Sequence, residues 1–189
     1  ARAAQRMREP EKQQYWLEHA KTDDPRTEAA TLMLDAEMAN EERRFADALA
    51  ALDRLQGKQG RHIAALRLEL RARQGSGDWD GVLRLVRQLA KRDALPAEVV
   101  AEVRTQAHLA NIARCSKDAA QLTAYLRALP EAERGRRIAL AAAKALVAVG
   151  ADGEAQKLIE AVLDGADNDE WSSELAAIYG RLTGGESTA

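Results

Sequence analysis

Apolar residues along this chain recur at helical spacings, and the whole arrangement then recurs at a longer interval. Thirty-four residues separate Phe45 from Trp79, and at that offset Leu32 is answered by Leu66, Ala36 by Leu70 and Ala48 by Val82. Leu49 and Leu83, Leu52 and Val86, and Leu55 and Leu89 continue the correspondence. A fixed period with preserved apolar slots predicts an array of stacked helices, in which no unit buries its apolar face alone and neighbouring units supply the core. The pattern resumes at Ala155, Ile159 and Val162, 73 residues after Val82, Val86 and Leu89. The unit between is therefore longer by about five residues than the 34-residue period.

Turn and capping residues divide the apolar runs into elements. Ala1 to Arg8 reads as the tail of one helix, and Pro10 opens a second with Tyr15, Trp16 and Leu17 on its apolar side. Asp24-Pro25 predicts an N-cap and first turn for a helix reaching about Asn40, followed by one over Phe45 to Gln56. Arg61 to Gln74 is next, with Gly75-Ser76-Gly77 as the turn and Asp78 capping a helix to Arg92. Helices over Pro96 to Cys115 and Lys117 to Leu129 follow, then one starting at Pro130 whose run ends at Gly150. Asp167 and Glu170 form a carboxylate capping box before Trp171, Leu175, Ile178 and Leu182. The expected organisation is one repeat domain over 1–183: a partial unit 1–23, units 25–57, 60–93, 96–129 and 130–165, a final helix 167–183, and a disordered tail 184–189.

Composition narrows the class. Aromatics make up 4% of the 189 residues and charged residues 31%, which favours closely packed helices over sheet and predicts an all-α fold. A net charge of −2 argues against a dedicated nucleic-acid binder. The charge is uneven, however: residues 61–92 carry eight Lys/Arg against three Asp/Glu, and residues 150–189 carry two against nine. Head-to-tail self-association of these regions is one candidate interaction. A single cysteine, Cys115, excludes an internal disulfide, and no run is long and apolar enough to span a bilayer. The chain is expected to be soluble as given, and its start at Ala1, inside a helical pattern, suggests a piece of something larger.

Little in the sequence points to catalysis. His19, His62 and His108 lie on different expected helices without metal-ligand spacing, and each reads as a surface or partly packed side chain. Cys115 reads as a buried or helix-end thiol. No phosphate loop, nucleophile elbow or paired-carboxylate motif is present, and Phe45, Trp79 and Trp171 sit at spacings that suit packing. The chain therefore reads as a non-enzyme without a cofactor.

Helix pairs of this length, with small residues at Ala36 and Ala143, aromatics opening the second helix at Phe45 and Trp79, and small residues again at Ala48 and Ala155, resemble the tetratricopeptide repeat. The resemblance is firm for 29–92, fair for 136–164 and weak for 97–129, and Asp152 departs from its aromatic pattern. It implies a right-handed superhelical solenoid of antiparallel helix pairs. A narrower resemblance is to the HemY family of Gram-negative bacteria, membrane-tethered tetratricopeptide proteins associated with haem-biosynthesis operons. The segments that carry it are Ala1 to Gln5, Tyr15 to Glu18, Thr31 to Leu34 with Ala36-Glu37, Phe45 to Leu55, Gly77 to Trp79, Ala128 to Pro130, and Trp171 to Leu175 before Tyr179 to Leu182, in that order. This likeness implies a scaffold for enzymes of late porphyrin and haem biosynthesis, tethered at the inner membrane in the full-length protein, with either face open and the cytoplasmic one favoured. A porphyrin or haem carrier is the alternative.

In tetratricopeptide arrays the first helix of each pair lines the concave surface, which nominates Met33, Glu37 and Asn40, then Arg67, Arg71 and Gln74, then Arg137 and Lys144 as partner-binding residues. Their basic members could accept an acidic peptide, the surface of a partner enzyme or porphyrin propionates. The competing reading is of ordinary solvated charges, since exposed ion pairs add only ~0 to 1 kcal/mol.

Overall fold

The computed structural model describes residues 11, 12, 15, 25–60, 62–164 and 173–184. Among them the chain is all-α, with nine helices, one 3-10 turn and no strand. They are α1 (Pro25–Glu41), α2 (Phe45–Gln59), α3 (Ile63–Ser76), α4 (Trp79–Ala90), α5 (Ala97–Cys115), α6 (Ala119–Ala128), the 3-10 turn Glu131–Glu133, α7 (Arg136–Ala148), α8 (Asp152–Asp164) and α9 (Ser173–Gly184). No described helix is long and apolar enough to cross a membrane. The chain forms two compact units, Ala1–Val100 and Ala101–Ala189.

In the first unit α1 packs on α2, α2 on α3, α3 on α4, and α1 again on α3. The sequence explains how they come so close: Ala39, Ala48 and Ala72, one from each of α1, α2 and α3, form a buried cluster whose small side chains let the backbones approach. A larger cluster joins Leu32 and Ala36 to Ala51, Leu52, Leu55 and Ala65. Most positions one period apart share the same fate, Leu49 being only partly buried where Leu83 is buried. Ala48 and Val82 are both at 0% exposure, and Leu52, Val86, Leu55 and Leu89 are all buried. In the second unit α6 packs on α7, α7 on α8, α8 on α9, and α7 again on α9. There Ala142 and Ala155 join Ile112, Leu122, Ile138 and Leu146, while Ala139 and Ala143 join Ile159, Leu175 and Ile178.

Local chemistry sets most boundaries, and two differ from expectation. Gly75 and Ser76 stay helical, and Gly77 alone makes the turn, with φ 76° and its N–H on the Arg73 and Gln74 carbonyls. Asp78 then caps α4, its Oδ1 accepting the Gly81 N–H at 2.9 Å, as Asp118 caps α6 through the Ala120 and Gln121 N–H groups. Pro130 does not start the long helix expected of it. It leads into the 3-10 turn, closed by Glu133 N–H on the Pro130 carbonyl and Arg134 N–H on that of Glu131. Tertiary contacts hold the turn: the Arg134 guanidinium donates to the Leu129 carbonyl, and Glu133 is drawn toward α5. Gly135, at ψ 161°, ends it, so α7 begins only at Arg136. The longer third unit expected from the spacing is accounted for by α5, which runs for 19 residues. The capping residues Asp24 and Asp167, the partial unit up to residue 23 except at residues 11, 12 and 15, Trp171 and the tail from 185 lie outside the described residues.

Candidate functional site

The residues nominated from the sequence divide between the units. On α1, Met33 and Glu37 are half-buried, and Asn40 is only 4% exposed, its amide donating to the Leu68 carbonyl of α3 at 3.1 Å. Asn40 is therefore a strut between helices and offers little to a partner. On α3, Arg67 and Arg71 are exposed and Gln74 is half-buried, and Arg67 donates to the Ala94 carbonyl at 2.5 Å. Arg137 and Lys144 of α7 are exposed, paired with Glu102 at 2.8 Å and Glu174 at 2.9 Å. Arg137 and Gln106 hold the Glu102 carboxyl below its ordinary range.

A cavity among the described residues of the second unit brings together side chains that the sequence pattern does not connect. It is an open hollow of about 550 Å³ between α5, the 3-10 turn and the start of α7, and Arg104, Thr105, His108, Glu133, Arg136 and Arg137 supply its polar lining. That volume is within the range of roughly 300–1,000 Å³ typical of small-ligand sites. At its edge His108, expected at the surface or partly packed, is 2% exposed. Its Nε2 lies 2.8 Å from Glu133 Oε2 and its Nδ1 2.7 Å from the Tyr125 hydroxyl. The ionised carboxylate can only accept, so Nε2 donates to it, and in the neutral ring Nδ1 accepts the phenol proton. With both nitrogens engaged, His108 is a structural post and is not available to a metal or haem iron. His62 is exposed, and His19 lies outside the described residues.

Arg104 sits one helical turn before His108 on α5, its Nη1 4.0 Å from Glu133 Oε1, an ion pair too long for a hydrogen bond. Its Nε is buried without an acceptor. Arg136 is exposed and has no ion pair or hydrogen-bond partner among the described residues. Arg136 and Arg137 open α7 behind an N-cap, Gly135, that contributes no side-chain bond, and the first turn holds no acidic residue. Cations here face the positive end of the helix dipole, and with Arg137 paired to Glu102 it is the Arg136 charge that is left without local compensation.

The first unit holds a different polar chain. Glu69 of α3, 5% exposed, accepts the Gln56 amide at 2.8 Å and the Arg73 Nε and Nη2 at 2.9 and 2.7 Å. Arg73 also pairs with Asp78, the cap of α4. Burial pushes the Asp78 carboxyl upward, but the Gly81 N–H and the Arg73 guanidinium outweigh it and hold it below the ordinary carboxylate range. The chain stitches α2, α3 and α4 together, which explains a glutamate in a buried slot.

Neither cluster displays a catalytic constellation, and among the described residues no group of three or more His, Cys, Asp or Glu side chains could hold a metal ion. Cys115, the last residue of α5, is half-buried. The sequence carried a partial signal for the cavity: Arg104 and His108 stand at i and i+4 on one helix face, and Arg136-Arg137 follow a Pro and Gly boundary. Nothing in it linked them to Glu133, 25 residues beyond His108. Compared with models of protein families, with curated proteins and with solved structures, the chain matches none.

Proposed function

We propose that this chain is a non-catalytic binding scaffold, a right-handed solenoid of tetratricopeptide-like helix pairs that captures protein partners through basic surfaces. The observation that carries the reading is the shared burial of residues one 34-residue period apart, Ala48 with Val82, Leu52 with Val86 and Leu55 with Leu89, together with the 0% exposure of Ala36, Ala48, Ala143 and Ala155 at helix contacts. Repeating units of this kind have one interior to share and spend their remaining surface on ligands. Arg67 and Arg71, exposed and one helical turn apart on α3, are the contact we assign to an acidic partner in the first unit, Arg67 being held in place by its bond to the Ala94 carbonyl.

The order of short segments resembling the HemY family directs the choice of partner to enzymes of late porphyrin and haem biosynthesis, with tethering at the inner membrane in a longer protein. Co-purification from the native host tests this. Wild-type protein should retain haem-pathway enzymes in a salt-sensitive manner, and Arg67→Glu with Arg71→Glu should lose them while circular dichroism stays unchanged. Retention of the same partners by the double variant would remove these residues from the contact. Capture of unrelated proteins would remove the pathway assignment.

A further inference from the structure

The cavity of the second unit combines features that a solvated surface does not need. Arg104, Arg136 and Arg137 stand against one lining carboxylate, Glu133, leaving two positive charges in surplus. Glu102 neutralises Arg137 and lowers the surplus to one. Glu133 itself is anchored by His108 and lies at 4.0 Å from Arg104, so it cannot swing over to satisfy Arg136 without leaving a buried imidazole N–H unpaired. The remaining wall is aliphatic, made by Ala101, Ala132 and Ile138.

We propose that this cavity binds an aliphatic carboxylate, its oxygens on the Arg104 and Arg136 guanidiniums and its carbon chain against Ala101, Ala132 and Ile138. A carboxylate fits better than a phosphate for two reasons. One surplus charge matches a monoanion, and the fixed carboxylate of Glu133 repels a dianion at close range. The same chemistry is presented by a free organic acid and by a glutamate side chain of a partner chain. The inference rests on the binding reading above and adds a second seat, independent of Arg67 and Arg71.

Amide chemical shifts of the 189-residue chain, followed during titration, test it. The probes are hexanoate, the capped peptide acetyl-Ala-Glu-Ala-amide, its glutamine twin and inorganic phosphate. Saturable shifts confined to the segments around Ala101 to His108 and Gly135 to Ile138 are expected with the two carboxylates and not with the twin. Arg136→Gln, at an exposed position with no partner among the described residues, should weaken binding by about tenfold, the value of one charge-assisted contact. Arg54→Gln, at an exposed arginine of α2 in the first unit, should leave it unchanged. Tighter binding of hexanoate assigns the seat to a free acid, and tighter binding of the peptide assigns it to a partner chain. Equal binding of the twin, tighter binding of phosphate, no saturation, or indifference to Arg136→Gln overturns the proposal. If these failures occur while Arg67→Glu with Arg71→Glu still abolishes partner capture, the carboxylate seat falls and the scaffold reading stands.

Discussion

The ring of Phe45, at the start of α2, lies directly over Gly75 near the end of α3, where a methyl group would overlap its edge. Gly75 is helical, so in open space alanine there would gain up to about 1 kcal/mol of helix propensity. Here it meets an aromatic ring in a packed contact. Gly75→Ala should instead destabilise by about 1–3 kcal/mol, the usual cost of overpacking. Urea denaturation measures this, and Phe45→Leu in the same chain should restore part of the loss. A stabilised single variant would show that the ring is free to move aside.

Asp78 ties the α4 cap to the Glu69 and Arg73 chain. Its folded pKa is depressed, so its contribution is present above the unfolded value and is lost as pH falls through the folded one. The loss therefore lies below about pH 4, the ordinary aspartate value. Asp78→Ala should cost about 1 kcal/mol at neutral pH through the lost cap. The Arg73 pair adds at most a few tenths of a kcal/mol, because the Asp78 side chain is 38% exposed and solvent screens it. Denaturation midpoints compared at pH 7 and pH 3 should show the difference between wild type and variant shrinking in acid.

Glu133 holds the inner wall of the cavity. Glu133→Ala leaves the Nε2–H of His108 buried without its acceptor, which should cost about 1–3 kcal/mol. Calorimetry should register a lower transition temperature. A variant as stable as wild type would mean that His108 finds water or turns outward, and the imidazole proton resonances would then report exchange with solvent.

Glu102 titrates below its ordinary range because Arg137 and then Gln106 hydrogen-bond its carboxylate. Arg137→Gln should raise that midpoint toward the ordinary glutamate value of about 4.3 in a carboxyl-carbon NMR titration. The denaturation midpoint should not move, since both partners are exposed.

Much of the helical framework was legible because it is written in local spacing. Phe45 and Trp79 open α2 and α4, Asp78 caps α4, and the alanines at positions 36, 48, 143 and 155 are buried. Each follows from residues within a few turns of one another, where helix period and capping chemistry act directly. Two boundaries differ from the local pattern where a distant partner decides the outcome. The pattern places Gly75 in a turn, yet it is helical beneath the ring of Phe45, and it places a helix start at Pro130, where Glu133 and Arg134 instead pair with α5 and with the Leu129 carbonyl.

The amino-acid pattern alone determined that the described chain is helical and which faces of the helices turn inward, since apolar period and chain entropy leave few alternatives. Only tertiary packing decided which polar residues share an interior. Asn40 became a strut to Leu68, Glu69 a stitch between helices, and His108 a buried post for Glu133 and Tyr125. Those partners are 13 to 28 residues apart along the chain. No period encodes such meetings. They arise because a buried polar group must find a complement wherever the packed helices happen to bring one within reach.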